Sequence, residues 1–417
     1  LGWGSGKHYF PAILHNYQWK SNNQTYRFIT DYIYDKDIIN NCLISKKYDT
    51  LLIPGGGVGD GQAIAKGFNF SRKVRAFKKE IRRFMQRGGG VVGICGGAAM
   101  ITELDRGPNR KPQTFLEKLY NKSSLGLSSV KHFYRDLAFP LFYPFQKNHP
   151  EKIGATSYVF SFAPGKTKNE KKIHSGGVPL NFTISKDNPI FKDLKKDKIR
   201  IRWWGGPALT SNNNQINKKT KIIARYPKND FSTERKTSIK TWKYSGGIRG
   251  ILKAFVKSIK LIKEKNLDLK NVFLYTYLFA SPWKKTEKNI KLDFSNRPSI
   301  ILEEDKNKSL GRIVLCTPHP EYMIWWDGKI EEMKENEKNC LGYGLHRWKD
   351  IKTSSKDLTK DLTHTWWIVR RLVAWSAKIP EKDMPPIEKE KKNKNIEKII
   401  EKNVIWNGTL IDQIENI

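Results

Sequence analysis

Three short apolar runs set the frame of this chain. Leu51 to Ile53, Val91 to Ile94 and Ile313 to Cys316 are brief, largely aliphatic and closed off by glycine, proline or threonine, which is the pattern of buried strands. Between the first two, Val74, Phe77, Ile81 and Phe84 recur at helical spacing within SRKVRAFKKEIRRFMQRGGG and predict an amphipathic helix with its apolar stripe toward a core. Ala98 to Leu104 has helical composition directly after the second run. Residues 1 to 105 thus alternate strand and helix candidates. Further on, GIRGILKAFVKSIKLIKEK predicts a basic helix, NVFLYTYLFASPW an aromatic strand, and TKDLTHTWWIVRRLVAW an amphipathic closing helix. Residues 106 to 150, including FYRDLAFPLFYPF, read as aromatic loop that covers a site or packs beneath the sheet.

The same punctuation places chemistry. In GGGVVGICGGAAMI, Cys95 falls at the corner between strand and helix, and Gly93, Gly96 and Gly97 clear the space around it. This is the G-x-C-x-G pattern of a nucleophile elbow, where a helix start favours the thiolate; a buried core cysteine beside packing glycines is the bland alternative. A nucleophilic cysteine needs a base and a group that orients the base. GRIVLCTPHPEYM supplies them: His319 and Glu321 lie just past the third run, separated by Pro320, whose fixed φ keeps the segment extended. A histidine in a surface loop is the alternative there. In YDTLLIPGGGVGDG, Pro54 and Gly55 to Gly57 form a loop whose amides, with that of Gly96, suit an oxyanion hole. That loop has neither the lysine of a P-loop nor G-x-G-x-x-G spacing, which argues against a phosphate cradle.

Taken in order, P-G-G, G-x-C-x-G and H-P-E resemble the class I glutamine amidotransferase-like superfamily. YDTLLIPGGG, FMQRGGGVVGICGGAAM, NPIFKDL, IRWWGGPAL, KIIARYP and GRIVLCTPHPE are most similar to its branch named after the N-terminal domain of biotin-protein ligase. The resemblance implies an α/β, flavodoxin-like three-layer sandwich with a mostly parallel sheet and large insertions. It implies Cys95 as nucleophile, His319 as base, Glu321 as its partner, and Gly56 and Gly96 as oxyanion donors. The substrate would be a small-molecule amide or acyl compound, with no cofactor and no metal. The catalytic segment of a biotin ligase is not found, so the branch name does not carry an activity. Nor is an ATP-binding synthetase domain visible, so an ammonia-generating role would need a separate synthetase subunit. The amidotransferase-like domain is expected over 1–380, interrupted at about 230–298, with 381–417 a charged C-terminal extension. The opening LGWGSGKHYF is similar to the loop that would follow a first strand, so the expectation is a fragment or processed product, or else a first strand supplied unusually.

Composition limits the alternatives. At 417 residues with 38% hydrophobic content, the chain can bury a substantial core. Cys42, Cys95, Cys316 and Cys340 show neither metal spacing nor a disulfide framework, so a reducing cytoplasm is the expected home. No apolar run approaches the roughly 20 residues of a transmembrane helix. The formal charge of +36 favours anionic partners, and keeps a non-catalytic basic binding or scaffold protein as the competing class. The charge is spread over every segment and no nucleic-acid-binding motif accompanies it, which argues against specific nucleic-acid recognition. The pairs Trp203-Trp204, Trp325-Trp326 and Trp366-Trp367 are candidates for core packing or for aromatic walls.

Overall fold

The computed structural model describes residues 6–55, 72–105, 121, 124–133, 178–203, 206–210, 220–228, 238–244, 246–264, 272, 276, 283–291, 294–304, 310–321 and 359–388. The chain opens with α1 (Gly6–Leu14) and a hairpin of β1 (Gln18–Ser21) and β2 (Gln24–Arg27). Two short helices, α2 (Asp35–Ile39) and α3 (Cys42–Ser45), lead into β3 (Thr50–Ile53). Then come α4 (Arg72–Gln86), β4 (Gly90–Ile94) and α5 (Gly96–Ile101). The short strands β5 (Glu103–Leu104) and β6 (Lys131–Phe133) are followed by β7 (Val178–Ile184) and β8 (Lys198–Trp203), and then by β9 (Ala208–Thr210) and β10 (Thr220–Arg225). An excursion of β11 (Ser238–Tyr244), α6 (Gly247–Glu264) and β12 (Trp283–Lys291) precedes β13 (Pro298–Glu303), β14 (Ile313–Cys316) and α7 (Thr359–Ser376).

Seven strands form the main sheet, in the order β3-β4-β14-β13-β10-β7-β8. The fold is α/β, but the sheet is mixed and not mostly parallel as the sequence led us to expect. Only β3 with β4 and β4 with β14 pair in parallel; the remaining pairings of the sheet are antiparallel. The connections explain the difference. Residues 54–89 carry α4 and are long enough for a parallel crossover, whereas the shorter links between β7 and β8 and between β13 and β14 return the chain antiparallel. Continuous apolar runs such as Pro298–Glu303, buried at every position, look alike in either arrangement.

Both faces of the parallel strands are covered. On one side Phe77, Ile81 and Phe84 of α4 pack with Leu51, Ile53, Val91 and Leu315, so the predicted apolar stripe does face a core. On the other, Trp366, Val369 and Leu372 of α7 pack with Val92, Ile94, Val314 and Cys316. Val91 and Val92 enter opposite cores because successive strand residues point to opposite faces.

Helix α7 departs from its expected amphipathic character, being almost wholly buried from Thr363 to Ser376. Its arginines are buried with partners. Arg370 lies 3.8 Å over the Tyr17 ring and donates to the Ile13 carbonyl at 3.0 Å. Arg371 donates to the carbonyls of Pro385 at 2.8 Å and Pro189 at 2.9 Å, and pairs with Asp193. Trp366 and Trp367 are both buried, so neither forms a cleft wall, and Trp203 is core as well. Trp204, Trp325 and Trp326 lie outside the described residues, as do 106–120, 122–123 and 134–150 of the expected aromatic loop and residues 389–417 of the C-terminal extension; within that expected loop, Lys131–Phe133 form strand β6, paired with β5 and β9.

In the expected insertion, β11 and β12 form their own antiparallel pair with α6 between them in sequence. Of the run read as an aromatic strand, the described positions Val272 and Thr276 are helical, the Thr276 hydroxyl donating to the Val272 carbonyl at 2.7 Å, while Trp283 opens β12.

Candidate functional site

The parallel trio β3, β4 and β14 has its carboxyl ends on one edge, and each end runs directly into a segment singled out by the sequence. Past β3 come Pro54 and Gly55; past β4, Cys95; past β14, Thr317 to Glu321. The register Leu52↔Val92↔Val314 aligns the three ends.

Cys95 occupies the corner between β4 and α5 with φ +51° and ψ −112°. A non-glycine residue with positive φ is strained, by roughly 1–3 kcal/mol, and persists only where its surroundings hold it. Here its amide donates to the Cys316 carbonyl at 2.7 Å, and its own carbonyl accepts from Ala98 at 3.0 Å and Ala99 at 3.2 Å. Gly97 lets the corner close: a Cβ there would stand 2.0 Å from the Ile53 carbonyl oxygen. The helix that follows is shorter than the predicted Ala98–Leu104 element. Thr102 ends α5 by donating its hydroxyl back to the Ala98 carbonyl at 2.8 Å, and Glu103 starts β5.

His319 and Glu321 are both 1% exposed at the side chain, and His319 Nδ1–H donates to Glu321 Oε1 at 2.7 Å. The same imidazole interacts electrostatically with the Cys95 side chain. Burial pulls the His319 pKa down, but the negative charges of Cys95 and Glu321, with the Glu321 hydrogen bond, outweigh it and push it up to about 10. Gly55 fits between the two halves of this arrangement. A Cβ there would come 2.6 Å from Cys95 Cβ and 2.9 Å from His319 Cε1.

The surroundings fix the loop that carries His319. Its amide donates to the Arg202 carbonyl at 2.8 Å, an isolated bridge to the end of β8. Trp366 Nε1 donates to the Glu321 carbonyl at 3.1 Å. Below, Thr317 shares a 2.8 Å hydrogen bond with the Tyr226 hydroxyl, which also reaches the Pro207 carbonyl at 2.8 Å. Burial pushes the Tyr226 phenol well up, so it stays protonated. Burial first, then the Glu321 and Cys95 charges, also push the Cys316 thiol well up, which makes it a core residue rather than a rival nucleophile.

The structure therefore brings Cys95, His319 and Glu321 together, with Gly96 in the first turn of α5, where N–H groups have no intrahelical acceptor. Gly56 lies outside the described residues. The sequence reading named Gly55 only as one of the loop amides and Trp366 only as core or aromatic wall, and it did not single out Arg202. Gly55 stood inside the quoted P-G-G run, whereas nothing local marks a carbonyl of β8 or an indole of α7 as neighbours of the loop past β14.

A glutamine amidotransferase-like relationship has support. The chain is 30% identical over 77 residues to the phosphoribosylformylglycinamidine synthase subunit PurQ of Picrophilus torridus. That stretch is 18% of this chain and 31% of the PurQ chain, so the relative is matched over about a third of its length. The match is distant and supports the class I glutamine amidotransferase-like superfamily. No family model matches the chain, and no solved structure matches it.

Among the described residues, no helix is long and apolar enough to cross a membrane.

Proposed function

We propose that the protein is a cysteine-dependent enzyme of glutamine amidotransferase type, cleaving a C–N bond of a small amide through Cys95, His319 and Glu321. The observation that carries this reading is the buried Glu321–His319 hydrogen bond set beside Cys95, which sits on a strained strand-to-helix corner. His319 takes the Cys95 thiol proton, Sγ attacks the carbonyl carbon, and the S–C bond forms while negative charge develops on the carbonyl oxygen. The Gly96 amide, with Gly56 as the second expected donor, stabilises that oxygen. His319 gives its proton to the leaving nitrogen, the C–N bond breaks, and ammonia or an amine departs from a thioester. Water then attacks the thioester, His319 takes the proton, the C–S bond breaks and the carboxylate leaves. Glu321 keeps the imidazole oriented and stabilises its charged form throughout.

The matched relative is named as a synthase subunit. On this reading, ammonia released at Cys95 is consumed by a separate synthetase protein. The segments from YDTLLIPGGG to GRIVLCTPHPE are the basis for placing the chain nearest the biotin-protein ligase N-terminal branch, and the β3–β4–β14 unit is what a flavodoxin-like sandwich would contribute.

The test is labelling of the folded protein with an electrophilic glutamine analogue and peptide mapping, followed by a glutaminase and amidase panel. Cys95 is expected to carry the label, with Cys42 and Cys316 unmodified. Cys95→Ala should abolish turnover and His319→Ala should reduce it by on the order of 10³-fold or more, with Glu321→Gln milder. Turnover that survives Cys95→Ala overturns the reading. If no substrate responds and no label forms, the basic scaffold alternative replaces it.

A further inference from the structure

Helix α6 divides its surface in three. Ala254, Ser258, Leu261 and Ile262 are buried and hold it to the protein. At about 100° per residue, Ile248, Leu252 and Val256 follow one another along a single line, a quarter-turn or more from the centre of that buried face. They are large aliphatic side chains in the open, 77%, 58% and 66% exposed. Beside this ridge runs a second line of Arg249, Lys253, Lys257 and Lys260, all exposed. Glu264 is the helix's one acid, and stands 3.7 Å from Lys260.

We propose that this face of α6 docks on an anionic lipid surface, with the aliphatic ridge in the headgroup–acyl boundary and the cationic line against lipid phosphates and carboxylates. Charge complementarity and size select this occupant. The whole chain carries +36, so its field draws it to an extended negative surface. The three ridge side chains, even with Ile251 exposed beside them at 45%, fall well short of the roughly 800 Å² per partner that a stable protein interface buries. They suit interfacial binding, which needs modest apolar area joined to basic charge. A nucleic acid would use the cationic line and leave the ridge in water, and an acidic protein would need far more apolar contact than the ridge offers.

The experiment is co-sedimentation of the full chain with vesicles of phosphatidylcholine alone and of phosphatidylcholine with about 30% phosphatidylserine, the lipid whose surface charge recruits basic segments. Binding is expected only to the anionic vesicles and should weaken as salt rises. The double substitution of Leu252→Gln and Val256→Gln should weaken it on the order of tenfold, as should Lys253→Glu with Lys260→Glu. All four positions are exposed, and unchanged thermal melts would show that the fold survives. Three results would overturn the proposal: equal binding to neutral vesicles, no binding to either, or binding that ignores the ridge substitutions. In the last case, matching affinity for duplex DNA would assign the surface to nucleic acid, and capture of a soluble acidic protein through the ridge would assign it to protein docking.

Discussion

At Cys95 the backbone and the chemistry make opposed demands. The φ of +51° that lifts the side chain out of the corner is one that only glycine adopts without strain, and yet the position carries a side chain. Two substitutions separate the costs. Cys95→Ala and Cys95→Gly both remove the sulfur and its contact with His319, but only glycine relaxes the corner. The glycine variant is expected to be the more stable by about 1 kcal/mol, read from urea midpoints. An alanine variant at least as stable as the glycine one would show that the corner is unstrained in solution. The association of Cys95, His319 and Glu321 was legible in the sequence because each follows an apolar run cut short by glycine, threonine or proline. Arg202 was not legible: it touches His319 through a backbone carbonyl, and every residue type has one.

Elements show where local pattern and tertiary packing part company. Ala98 to Leu104 has helical composition throughout, but Thr102 turns its hydroxyl onto the Ala98 carbonyl and the chain leaves the helix for β5. The same hydroxyl lies 2.8 Å from Nδ1 of His132 on β6, a contact thirty residues away that no local pattern announces. Burial lowers the His132 pKa to about 3, so the folded protein keeps this ring neutral. The sign follows from linkage. Above pH 6.5 neither folded nor unfolded chain binds this proton; between 6.5 and about 3 only the unfolded chain does, so stability falls as pH falls through that window. The slope from this group approaches about 1.4 kcal/mol per pH unit. His132→Asn is expected to flatten the loss between pH 6.5 and 4, measured by urea unfolding at each pH. An acid limb as steep in the variant as in the wild type would show that His132 is not held neutral. The mixed sheet has a similar origin: buried strands lose their alternation, and without it direction is set by the connections.

At the scale of the whole molecule, the two ends of the described chain close on one another. Residues 381–388, expected as the start of a charged extension, lie against the β1–β2 hairpin. The Asp383 carboxylate accepts from the Ser21 hydroxyl at 2.8 Å, the Asn22 amide at 2.6 Å and the Tyr26 hydroxyl at 3.0 Å, while Trp19 Nε1 donates to the Asp383 carbonyl at 2.8 Å. Those hydrogen bonds, that of Ser21 foremost, hold the Asp383 carboxyl below its usual range, so their contribution is present above that range and is lost as pH falls through the lowered value. Sequence could not show this clasp, since a lone Asp in EKDMPP reads as one more surface charge. The clasp also reaches the site. Arg371 of α7 is held by the Pro385 carbonyl, and the same helix carries Trp366, whose indole donates to the Glu321 carbonyl. Asp383→Ala is therefore expected to lower the melting temperature and to speed amide hydrogen exchange in the hairpin over 18–27. Exchange at His319, whose amide is bonded to Arg202, should rise much less, because Arg371 keeps its other carbonyl partners at Pro189 and Ile190. Exchange that rises equally at both places would show that the ends and the site open as one cooperative unit; no change at the hairpin would show that the clasp contributes nothing to holding the ends together.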